Sequence, residues 1–144
     1  MSGRRSRQKG AKFERDIAKA LGTVMPGVGI RRGLQSQGEV VPDVEAPGLW
    51  VECKCGNYAS KVPTAALRQA EKASVGTSRH AVAVVRPDRK RAQVYLRVRT
   101  LQLLLLGGKT ACNGPSEEGT TDELVVQMPL AGFLSIISGW WGAE

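Results

Sequence analysis

The first ten residues hold no apolar side chain after Met1. That pattern predicts a disordered basic arm over residues 1–10, ahead of a single domain over residues 11–144. A helix is predicted from about Ala11 to Leu21, closed by Gly22. Phe13, Ile17, Ala20 and Leu21 recur at helical spacing and form its buried stripe. Glu14 stands at the border of that stripe, where an ordinary surface ion pair with Arg15 or Lys19 is the plain alternative to a functional role. Residues 23–42 are Gly-rich and polar, with short strand scraps at Val24-Met25 and Val28 to Ile30.

Val40 to Val44 reads as the edge of a strand, residues 45–48 as a turn, and Leu49 to Cys55 as the next strand. Alternation puts Trp50, Glu52 and Lys54 on one face, and Val51, Cys53 and Cys55 on the core face. Pro63 to Ser74 reads as a second helix, with Ala66, Ala70 and Ala73 as a small-residue face and Gly76 just past its end. His80 to Val85 is a continuous apolar run, the pattern of a strand buried on both sides. His80 reads as a strand-end residue and not as a ligand. In the next strand, 92–99, Ala92, Val94, Leu96 and Val98 alternate with a polar, basic outer face. A short leucine-rich helix capped by Thr100 ends at Gly107-Gly108. A small strand over 124–128 and a helix over 130–138 follow. The whole predicts an α/β fold with a small mixed β-sheet flanked by helices.

Charge narrows the partner. The 144 residues carry a net charge of +8. The cations cluster at Arg4, Arg5, Arg7, Lys9 and Lys12, and again at Arg86, Arg89, Lys90 and Arg91, which points to nucleic acid. The longest purely apolar run, Leu103 to Leu106, is too short to span a bilayer, so no membrane partner is expected. No apolar signal core follows the basic start, and three cysteines is an odd number. Both fit a reduced cytoplasmic setting. Cys53, Cys55 and Cys112 lack the paired spacing of a zinc site and read as small apolar residues.

Chemistry narrows it further. One histidine, His80, excludes a His-based acid/base pair. Gly108-Lys109-Thr110 does not make a phosphate-binding Gly-x-x-x-x-Gly-Lys-Ser/Thr loop, because Leu103 stands where its first glycine belongs, and no Gly-x-Ser-x-Gly elbow is present. What remains is Pro42-Asp43, eight residues, then Glu52-Cys53-Lys54. Two carboxylates supply hard oxygen ligands, and an amine aims at the same spot from i+2. The plain alternative is an exposed Glu–Lys pair on an edge strand.

The order of a helix bearing Glu, strands bearing Asp and then Glu-x-Lys, a helix and two more strands resembles the PD-(D/E)xK nuclease superfamily. Within it the chain is most similar to the Holliday-junction-resolvase-like branch, including small resolvase-like endonucleases of phages. Lys9-Gly10, Phe13-Glu14-Arg15-Asp16, Gln35-Ser36-Gln37-Gly38, Pro42-Asp43, Glu52-Cys53-Lys54 and Leu67-Arg68-Gln69-Ala70 carry the resemblance, over roughly residues 9–105. It implies a restriction-endonuclease-like core and Mg²⁺-dependent hydrolysis of DNA, with Mn²⁺ as a substitute ion. Asp43 and Glu52 are then metal ligands, the backbone carbonyl of Cys53 a third, and Glu14 a fourth group acting through a bound water or a second ion. Lys54 orients or helps deprotonate the water, or stabilises the pentavalent transition state. Arg4, Arg5, Arg7, Lys9, Arg31, Arg32, Gln35, Ser36 and Gln69 are the candidate DNA contacts. The expected substrate is branched or duplex DNA, and the expected assembly a homodimer, because two opposed strands must be cut. Two alternatives stay open. One is a nuclease of the same superfamily working in replication, repair or restriction. The other is a non-catalytic basic nucleic-acid-binding protein.

Overall fold

A computed structural model describes residues 2–34, 40–56, 63–108 and 124–142. In chain order the elements are α1 (Ser2–Val24), β1 (Arg31–Arg32), β2 (Val44–Ala46), β3 (Leu49–Cys55) and α2 (Pro63–Ser74). Then come β4 (His80–Arg86), β5 (Gln93–Arg97), α3 (Val98–Leu105), β6 (Val125–Pro129) and α4 (Leu130–Gly142). The strands form one sheet in sequential order. β3 and β4 run parallel, joined across α2, and every other neighbouring pair is antiparallel. The fold is therefore α/β, a small mixed sheet with helices on both faces.

Period-2 alternation in β3 divides the core. Leu49, Val51 and Cys53 join Phe13, Ile17 and Leu21 of α1, Leu104 of α3, and Phe133, Ile137 and Trp140 of α4 in the larger cluster. Burying side chains such as Phe13, Ile17 and Leu21 contributes about 1.5–3 kcal/mol each. On the opposite face α2 lies close, because Ala66 and Ala70 are small. There Ala66 and Leu67 meet Ala83 and Val85, and Ala70 meets Trp50 and Ala81. β4 is apolar along nearly its whole length because both of its faces are covered.

Several elements depart from expectation. Residues 2–10 are no disordered arm; they are the first turns of α1. Arg, Lys and Gln are good helix formers, no Pro interrupts the segment despite Gly3 and Gly10, and Lys9 is tied to Asp88 beyond β4. Gly22 does not close α1, which runs to Val24, just before Pro26. The segment 40–43 is not strand: β2 begins at Val44, and the turn contracts to Pro47-Gly48, where Gly48 takes φ 76°. β5 stops at Arg97, and α3 starts at Val98 without a side-chain cap, so Thr100 is not its cap. The polar face of β5 meets α2. Tyr95 packs over Ala66, Leu67, Ala83 and Val85, and Arg97 forms a two-pronged pair with Glu71 at 2.9 and 3.0 Å. α4 is longer than expected, so Trp140 is in the core and its indole N–H donates to the Gly108 carbonyl at 2.7 Å. His80 is buried at the start of β4, with Nε2 3.1 Å from the same carbonyl and its ring edge-on to Trp140.

Candidate active site

The site is built where the short β2–β3 hairpin meets the interior of the sheet. Two backbone bonds hold Asp43 just ahead of β2: its N–H donates to the Val51 carbonyl at 3.0 Å, and its carbonyl accepts from the Gly33 N–H at 2.9 Å. Gly33 is required there. A Cβ at residue 33 would lie 1.9 Å from the Pro42 carbonyl oxygen, inside any real contact. The Asp43 side chain turns toward β3, where its Oδ2 accepts the Cys53 N–H at 2.8 Å.

Glu52 sits on an interior strand, not an edge, and is 4% exposed. As alternation predicts, its carboxylate lies on the α2 face with Trp50. The Trp50 indole N–H donates to Oε1 at 3.3 Å, and the Gln69 side-chain amide of α2 donates to Oε2 at 3.4 Å. Both bonds are long for such donors. Burial pushes the Glu52 carboxyl up to about 8 from 4.5. The neighbouring Asp43 carboxylate pushes it the same way, while Trp50 and Lys54 offset only part of this. Two carboxyl groups share one place with too little positive charge to hold both ionised. Lys54, two residues on, is on the same face and exposed.

The structure thus brings Asp43, Glu52 and Lys54 together, with Cys53 between them in the strand. Its thiol is buried and is pushed well up by burial first, then by Asp43, Glu14 and Glu52. Glu14 reaches the same neighbourhood from α1, but its carboxylate is engaged by Arg32 of β1. Among the described residues, no three His, Cys, Asp or Glu side chains converge to enclose a metal ion. The donor set fits an ion that takes two carboxylates, keeps several waters and accepts a backbone carbonyl, which is the habit of Mg²⁺.

The candidate DNA contacts are dispersed. Arg31 is paired with Glu45 at 2.9 Å, Arg32 with Glu14, and Lys9 with Asp88. Arg4, Arg5 and Arg7 project from the exposed start of α1. Gln35 and Ser36 lie outside the described residues, as does Cys112. Sequence reasoning passed over Gly33 and the Trp50 bond to Glu52. The Trp50 bond had a signal, since Trp50 and Glu52 share a strand face. Gly33 had none, because its role depends on a neighbour nine residues away. Comparison with family models, with curated proteins and with solved structures finds no match.

Proposed function

We propose that this chain is a Mg²⁺-dependent DNA endonuclease of the PD-(D/E)xK type, selective for branched DNA such as a four-way junction. One observation carries the reading: the buried Glu52 carboxyl held against Asp43 with too little positive charge beside it to ionise at its usual pH. A structural core has no use for such a pair, whereas a divalent cation removes its cost. When bound, the ion supplies positive charge beside the scissile phosphate and lowers the pKa of a coordinated water.

The chain's own groups do the rest. Asp43 and Glu52 hold the ion, with the Cys53 carbonyl as third donor. The Cys53 N–H fixes the Asp43 carboxylate, and Trp50 and Gln69 fix Glu52. Lys54 places its ammonium on the same face, where it orients the attacking water or offsets charge developing on phosphorus. Glu14 adds an outer acidic group from α1. Cutting two opposed strands calls for a homodimer. Among the described residues, no helix is long and apolar enough to cross a membrane, and a cytoplasmic setting suits a DNA substrate.

The test is a cleavage panel of four-way junction, flap, duplex and single strand, in Mg²⁺ or EDTA, with wild type beside Glu52→Ala. Junction cutting in Mg²⁺ alone, lost in Glu52→Ala while DNA binding persists, is the expected result. Equal cutting of plain duplex removes the junction selectivity. Unchanged cutting by Glu52→Ala removes the site.

A further inference from the structure

A second feature lies at the carboxyl ends of β3 and β4. Lys9 of α1 and the Arg86–Lys90 turn line a cleft of about 710 Å³. Four cations, Lys9, Arg86, Arg89 and Lys90, face it against one carboxylate, Asp88, which is paired with Lys9. Arg86 is seated on the ring of Phe13, its guanidinium carbon 4.7 Å from the ring centre. Stacking uses the face of a guanidinium and leaves the N–H donors in its plane for an anion.

The turn is fixed, not loose. The Lys90 N–H donates to the Pro87 carbonyl at 3.1 Å, and Arg89 takes φ 62°, a left-handed conformation that a residue with a Cβ adopts at a cost. Both Arg89 and Lys90 are exposed. On α1, Arg5 lies one helical turn before Lys9 on the same face, so the cationic track continues past the cleft.

Position links this track to the carboxylate pair. Cys55 is in register with Arg86, and the Gly56 N–H donates to the Arg86 carbonyl at 3.1 Å. Cys55 is three positions beyond Glu52 on β3, about 10 Å of extended strand, and the Glu52 carboxylate lies on the opposite, α2 face of the sheet.

We infer that the Lys9/Arg86/Arg89/Lys90 cleft is a phosphodiester-backbone site, which holds the nucleic acid at the carboxyl end of the strand that carries Glu52. The placement rests on the nuclease reading; binding in the cleft does not. A lipid surface fits less well, because the cations line a concave cleft with no exposed apolar side chain among them.

Binding of a short fluorescein-labelled DNA duplex, followed by anisotropy in EDTA across a salt series, tests the cleft without any cutting. Arg89→Ala/Lys90→Ala is compared with Lys19→Ala/Lys72→Ala, which removes the same charge from exposed positions elsewhere. The cleft variant is expected to bind about tenfold more weakly, with a log–log salt slope shallower by about 1.8, since each lost phosphate contact removes about 0.9. The comparison variant should change much less. Equal losses in the two variants would reduce the effect to net charge and overturn the site. So would an unchanged cleft variant, or a wild type that binds phosphatidylserine vesicles but not DNA. If Glu52→Ala still cuts while the cleft variant loses binding, the assignment of the reaction to Asp43 and Glu52 fails and the cleft stands.

Discussion

The carboxyl group of Asp43 stands close enough to that of Glu52 to push it up, although one stands ahead of β2 and the other in the middle of β3. The hairpin folds them together, and burial keeps water from separating their charges. The consequence is a dependence of stability on pH. Glu52 has its folded pKa raised to about 8 from 4.5. A raised carboxyl binds its proton more tightly in the folded state. Its contribution is therefore fully present below pH 4.5 and is lost as pH rises through about 8. In EDTA the protein should lose on the order of a few kcal/mol across that window. Adding Mg²⁺ at the alkaline end should restore most of it, and Glu52→Gln should flatten the profile. Thermal melts at both ends of the window, with and without Mg²⁺, read this directly; a profile that is the same in wild type and Glu52→Gln contradicts it.

Gly33 sets the position of Asp43 from outside the motif. Its backbone bonds the Asp43 carbonyl, and a Cβ would sit 1.9 Å from the Pro42 oxygen. Backbone atoms cannot yield as a flexible side chain does. Gly33→Ala should cost about 1–3 kcal/mol, as overpacking does. It should also lower Mg²⁺-dependent cutting at temperatures where the variant is still folded. Urea unfolding together with cleavage rates separates the two effects, and full activity at wild-type stability would refute the contact.

The core elements were legible because their signals are local. β4 announced burial on both sides by its unbroken apolar run, and α2 was bounded by Pro63 and Gly76. The Glu52 and Lys54 face followed from alternation alone. What was not legible depended on distant partners. The start of α1 reads as a charged tail by composition, yet the helix propagates through it and Lys9 is held by Asp88, seventy-nine residues on. The polar face of β5 looked solvated until α2 covered it with Glu71 opposite Arg97. No local pattern encodes that Arg32, not the carboxylate pair, engages Glu14.

That engagement sets the rank of Glu14. Its carboxylate is engaged by Arg32 and is not among the groups that shift Glu52, whereas Asp43 is. Glu14→Ala should therefore slow cutting by about tenfold, the scale of a positioning loss, whereas Glu52→Ala should abolish it. Single-turnover rates on a four-way junction make the comparison. Equal losses in the two variants would place Glu14 inside the metal shell.

Asp88 is the one carboxylate lining the basic cleft, and it holds Lys9. In that pair Lys9 is 46% and Asp88 32% exposed, so the bond itself contributes little to stability. Its larger effect is on the ligand, because a negative charge in the cleft repels phosphate and occupies an ammonium that phosphate would use. Asp88→Asn keeps the shape of the turn and removes both effects. It should bind duplex DNA several-fold more tightly in EDTA, with a salt slope steeper by about 0.9 as Lys9 becomes one further phosphate contact. The thermal midpoint should move little. Adding Lys9→Ala to Asp88→Asn should return the slope to its wild-type value. A gain in affinity that survives removal of Lys9 would assign the effect to the charge of Asp88 alone and would leave Lys9 out of the DNA contact.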